Sequence, residues 1–71
     1  MTITEKSHLN DRYYITLNAV KGRYGFYYEV QVCPRIGENE CGYPVRNMMY
    51  SLNDKANALA TFRRYKRKYV R

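Results

Sequence analysis

Two stretches of alternating residues, joined by a short loop bounded by glycines, constrain this chain more than any other feature. In the first, Tyr13, Ile15, Leu17 and Ala19 alternate with Tyr14, Thr16, Asn18 and Val20. In the second, Phe26, Tyr28, Val30 and Val32 alternate with Tyr27, Glu29, Gln31 and Cys33. A period of two in β-branched and aromatic residues is the signature of strands. The loop Gly22-Arg23-Tyr24-Gly25 then sets Ala19 against Tyr28, Leu17 against Val30 and Ile15 against Val32. A slip of one residue would place Leu17 and Ile15 opposite Glu29 and Gln31, which a buried face does not accept. The hairpin therefore has one apolar face and one mixed face.

The rest of the chain is read around this hairpin. Residues 1–11 are polar and lack sustained periodicity, so they form a flexible or edge-docked arm. Pro34 to Tyr43 holds Pro34, Gly37, Glu38, Asn39 and Gly42 and reads as loop. Val45 to Tyr50 is the third strand, with Met48 and Tyr50 on one face. Ser51-Leu52-Asn53-Asp54 resembles a capping box, and a helix should run from there to about Val70. On that helix Leu52, Leu59, Phe62, Tyr65 and Tyr69 sweep one apolar arc. The expected fold is a single α+β domain over residues 1–71: a three-stranded antiparallel sheet (13–50) with one C-terminal helix (51–71) across one face, in β-β-β-α order. A chain of 71 residues has little surface to bury, so nearly every large apolar side chain is expected in the core.

The β-β-β-α order resembles, in architecture alone, the small DNA-binding modules at integrase N-termini. The basic, tyrosine-rich composition looks like that of many small bacteriophage proteins. Neither likeness carries a site residue across.

Charge is distributed unevenly. Thirteen Lys and Arg against six Asp and Glu give a net +7. Residues 1–50 hold six cations and five carboxylates, whereas residues 51–71 hold seven cations and only Asp54. Six of the cations, Arg63, Arg64, Lys66, Arg67, Lys68 and Arg71, fall in the last ten positions. A helix macrodipole rewards one or two cations in its last turn, at ~0.3–1 kcal/mol each. Like charges four residues apart oppose this by ~0.2–0.5 kcal/mol per pair. Six cations exceed what the dipole rewards, which points to an anionic partner. Four of the six are Arg, whose planar fork matches phosphate in a bidentate manner. Tyr65 and Tyr69 lie among them, either as stacking surfaces or as part of the apolar arc.

These residues suggest a small, non-enzymatic DNA- or RNA-binding protein, with Lys21, Arg23 and Tyr27 near the hairpin tip as secondary contacts. An acidic protein surface would satisfy the same arginines. The alternative is thus a protein-binding inhibitor or adaptor, for example a phage product docking on a host enzyme or nucleoprotein complex. A second candidate surface is the mixed sheet face with Tyr14, Thr16, Asn18, Tyr27, Glu29 and Gln31, although Glu29 at its centre argues against a phosphate track.

Other chemistry finds little support. There is one histidine, no nucleophile-elbow or phosphate-loop signature, and no paired carboxylates on regular structure. Cys33, Cys41 and the distant His8 do not form a zinc set, and no cofactor is expected. The two cysteines are expected as reduced thiols in a cytoplasmic protein (host cytoplasm if phage-encoded), the alternative being a disulfide that closes the loop between Cys33 and Cys41. No apolar run approaches the ~18 residues of a membrane span, and the first twenty residues lack a secretory apolar region. The unpaired edges of a small sheet leave the protein a monomer or weak homodimer.

Overall fold

A computed structural model describes residues 2–38 and 40–69; Met1, Asn39, Val70 and Arg71 lie outside the described residues. The chain forms β1 (Thr2–Leu9), β2 (Tyr13–Gly22), β3 (Gly25–Pro34), β4 (Arg46–Ser51), a 3-10 turn (Leu52–Asp54) and α1 (Lys55–Lys68). The strands lie in the order β1-β2-β3-β4, each antiparallel to its neighbour.

The hairpin pairs as the alternation requires, with Ile15 opposite Val32, Leu17 opposite Val30 and Ala19 opposite Tyr28. Gly22 pairs with Gly25, so the tip is Arg23-Tyr24, and Gly25 takes the φ of +121° that a side chain would resist. On β4, Met48 lies opposite Val30 and Tyr50 opposite Tyr28, which confirms their shared face.

The sheet has four strands rather than three. The arm over residues 1–11 contributes β1, docked along the edge of β2. Its attraction to β2 is polar. The Thr4 hydroxyl donates to Asn18 Oδ1 (2.9 Å), and the Asn18 side-chain amide donates to Thr16 Oγ1 (3.1 Å). A bulge between Thr4 and Lys6 also shifts the alternation: Ile3 lies opposite Ala19, but Lys6 lies opposite Leu17 and His8 opposite Ile15.

The helix starts later than the capping-box reading placed it. Ser51 is extended, closes β4 opposite Tyr27, and makes no side-chain cap bond. The 3-10 turn follows, and Asp54 Oδ1 accepts from the Asn57 side-chain amide (2.7 Å). Leu52 falls in that turn and is exposed, so it drops out of the apolar arc. Within α1 the buried residues are Ala58, Thr61, Phe62 and Tyr65, with Leu59 half-buried; Tyr69, which caps the helix, is half-buried as well.

The core consists of Ile15, Leu17, Tyr28, Val30 and Val32 from the sheet against Ala58, Phe62 and Tyr65 from the helix. Fewer apolar residues are buried than the chain length suggested. Ile3 and Met48 are exposed beside a helix of 14 residues that roofs β2, β3 and part of β4 only; Leu9 and Met49 are exposed on the opposite sheet face, Phe26 at the hairpin end, and Ile36 and Val45 in the β3–β4 connection. The helix runs opposite to β2. Lys55 at its start is paired with Glu5 (3.1 Å) and lies over the Tyr28 ring, while Tyr69 at its end packs edge-on against Tyr13 (centroids 4.8 Å apart). The Glu5 carboxylate and the Tyr28 ring hold the Lys55 ammonium above its ordinary pKa. Asn10 fixes the far end: its Oδ1 accepts from the N–H groups of Arg12 and Tyr13, and its Nδ2 donates to the Tyr69 carbonyl (2.8 Å).

Candidate nucleic-acid interface

The helix turns its apolar side to the sheet, which leaves Arg63, Arg64 and Arg67 on the opposite side, with Lys66 and Lys68 on the flanks. All five are exposed. Among the described residues the one ion pair is Lys55 with Glu5, so no described carboxylate neutralises the ridge. Arg64 and Lys68 each lie 5.6 Å from the ring centroid of the tyrosine that follows, Tyr65 and Tyr69. Such contacts orient the cations without cancelling their charge. The ridge spans residues 63 to 68, and Arg71 of the expected cluster lies outside the described residues.

The tyrosines within the cluster have structural work. Tyr65 is buried in the core, and Tyr69 is half-buried between Tyr13 and Tyr65. Burial takes Tyr65 out of reach of a base, and Tyr69 is left partly accessible. A cation that the sequence did not single out joins the ridge instead. Arg12, in the β1–β2 turn, lines a shallow cleft of about 250 Å³ together with Tyr13, Lys68 and Tyr69. No local pattern marks Arg12. Its place follows from the helix running opposite to β2, which sets the turn beneath the cationic end.

Lys21, Arg23 and Tyr27 stand apart from this ridge. Lys21 is eight residues along β2 from Tyr13, roughly 26 Å at the usual strand rise. Tyr27 lies opposite Val20 and Ser51, on the sheet face turned away from the helix. The hairpin tip and the helix ridge are separate surfaces at opposite ends of the molecule.

That outer sheet face carries little charge. The register places Thr4, Ser7 and Leu9 of β1, Tyr14, Thr16, Asn18 and Val20 of β2, Tyr27, Glu29, Gln31 and Cys33 of β3, and Asn47, Met49 and Ser51 of β4 on it. Glu29 is the one charged residue among these. Thr16 and Asn18, part of the second candidate surface, are each 6% exposed and bonded to one another. Cys33 and Cys41 are free thiols, the first half-buried and the second exposed. Burial, then Cys41, then Glu29 raise the Cys33 thiol above its ordinary pKa. His8 lies opposite Ile15 on the helix face, whereas Cys33 lies opposite Tyr14 on the outer face, so these residues do not converge. Among the described residues no helix is long and apolar enough to cross a membrane.

No family model, curated protein or solved structure matches the chain.

Proposed function

We propose that this protein is a small, non-enzymatic nucleic-acid-binding protein. The exposed side of α1 supplies its phosphate contacts through Arg63, Arg64, Lys66, Arg67 and Lys68, with Arg12 at the end of the row. One observation carries the reading: five cations within residues 63–68 of the helix are exposed and none is paired with a described carboxylate. Holding like charges that close exceeds what the helix dipole returns, but it is favourable when phosphates displace counterions along the ridge. Arginine supplies three of the five and adds bidentate geometry. The hairpin-tip residues Lys21, Arg23 and Tyr27, on a separate surface roughly 26 Å along β2 from the ridge, would serve as secondary contacts only.

The test is the salt dependence of binding to short DNA and RNA duplexes and single strands. Five neutralised phosphates on duplex DNA give a log–log slope of about −4.5, or a loss of about 500-fold in affinity from 50 to 200 mM salt. Failure to retard any nucleic acid at the lower salt, or a complex indifferent to salt, overturns the proposal. A single stoichiometric protein partner that survives nuclease treatment would replace it with the inhibitor reading.

A further inference from the structure

The two edges of the sheet are built differently. β1 carries several of the features by which proteins keep an edge from pairing. It is interrupted by a bulge, holds Glu5, Lys6 and His8 in succession with one neutral residue between, and has Glu5 tied to the helix through Lys55. β4 has none of these. Its six residues Arg46-Asn47-Met48-Met49-Tyr50-Ser51 pair with β3 without interruption, contain no proline, and carry one charge at the first position. Val45, Met48, Met49 and Leu52 are all exposed along it, Met49 at 65%. A regular, nearly uncharged edge about 20 Å long with apolar side chains on both faces is a template for a further strand.

We infer that β4 is a pairing edge and that its occupant is a second copy of this chain, joined antiparallel about a two-fold axis normal to the sheet. The strand is self-complementary in that arrangement. Centred on Met48 or Met49, the axis sets a methionine against itself and keeps Arg46 away from its own symmetry mate, so no like charges meet. The exposed apolar side chains that flank the axis on both faces then cover one another. The two sheets become one of eight strands, and both helices lie on the same side. With strand spacing near 4.8 Å and each helix seated over β2 and β3, the helix axes stand roughly 19 Å apart and run antiparallel, which puts two cationic ridges on one surface, displaced toward opposite ends. Pairing does not require that the ridge bind nucleic acid. A contact of one short strand per copy belongs to the weak class of interfaces, with dissociation on the order of micromolar.

Sedimentation equilibrium on the nuclease-treated full chain with reductant present tests this. The mass should rise with concentration from 8.5 kDa toward twice that value. Higher salt should strengthen the dimer, because it screens the repulsion between two +7 chains. This is opposite in sign to its effect on nucleic-acid binding, so the failure of one proposal is distinguishable from the failure of the other. Met48→Lys and Met49→Lys, at exposed positions, should each return the monomer with an unchanged circular dichroism spectrum, whereas Ile3→Lys on β1 should leave the dimer intact. Amide exchange over residues 46–51 should slow as concentration rises. A chain that stays at 8.5 kDa throughout overturns the inference. So does a dimer that survives Met49→Lys and is lost with Ile3→Lys, or one whose β4 amides gain no protection.

Discussion

The two broad surfaces of this molecule contrast in charge and in what supports them. The free side of α1 carries five exposed cations with no described carboxylate paired to them. The outer face of the sheet has one charged residue, Glu29, and two polar side chains, Thr16 and Asn18, that are buried and bonded. On the sheet face Thr4, Asn18 and Thr16 answer one another, and the two buried ones are held for the fold, while the helix face leaves its charge unanswered. Unanswered charge is where the sequence departs from folding requirements, and the proposed phosphate contacts rest on that departure.

Leu17→Ala should break the contrast altogether. It opens a cavity beneath both surfaces and should cost about 2–5 kcal/mol by urea unfolding. Replacing Arg63, Arg64, Arg67 and Lys68 together with Ala should abolish retardation of DNA at low salt and flatten any residual salt slope by about 3.6. The same change relieves the Arg63–Arg67 and Arg64–Lys68 repulsions, so stability should move by less than about 1 kcal/mol. Asn18→Ala should do the reverse. It leaves the hydroxyls of Thr4 and Thr16 without their partner, at a cost of about 1–3 kcal/mol in stability, and does not alter binding.

The smallest effect concerns the thiols. Cys33 should alkylate more slowly than exposed Cys41 at mildly alkaline pH, on the order of a few-fold, when peptides are followed by mass spectrometry. Glu29→Gln should narrow that gap, since Glu29 is one of the groups raising the Cys33 pKa. The folded thiol titrates above its unfolded value. Its contribution to stability is therefore full below the unfolded pKa and is lost as pH climbs through the folded one.

The hairpin was legible in every pair because apolar parity admits one register, and the position of a helix followed from its 3.6-residue period. β1 was not legible for two reasons. Its bulge at Glu5 breaks the alternation, and Thr4 joins the sheet through Asn18, a partner fourteen residues away that no local pattern reveals. The capping box failed because Ser51 was already committed to pairing with Tyr27. At the candidate interface, the charge cluster was plain in the sequence. The separation of Lys21, Arg23 and Tyr27 from it, and the arrival of Arg12, depend on the direction in which the helix crosses the sheet.

Asn10 gives that direction a kinetic meaning. Its bond to the Tyr69 carbonyl closes a chain segment of 59 residues, the longest loop spanned by any side-chain bond described. Loop closure of that length comes late, after the hairpin has formed through neighbours close in sequence. Asn10→Ala should therefore quicken unfolding and leave the refolding rate nearly unchanged. On that outcome, the end of the helix that bears the ridge docks after the hairpin has formed.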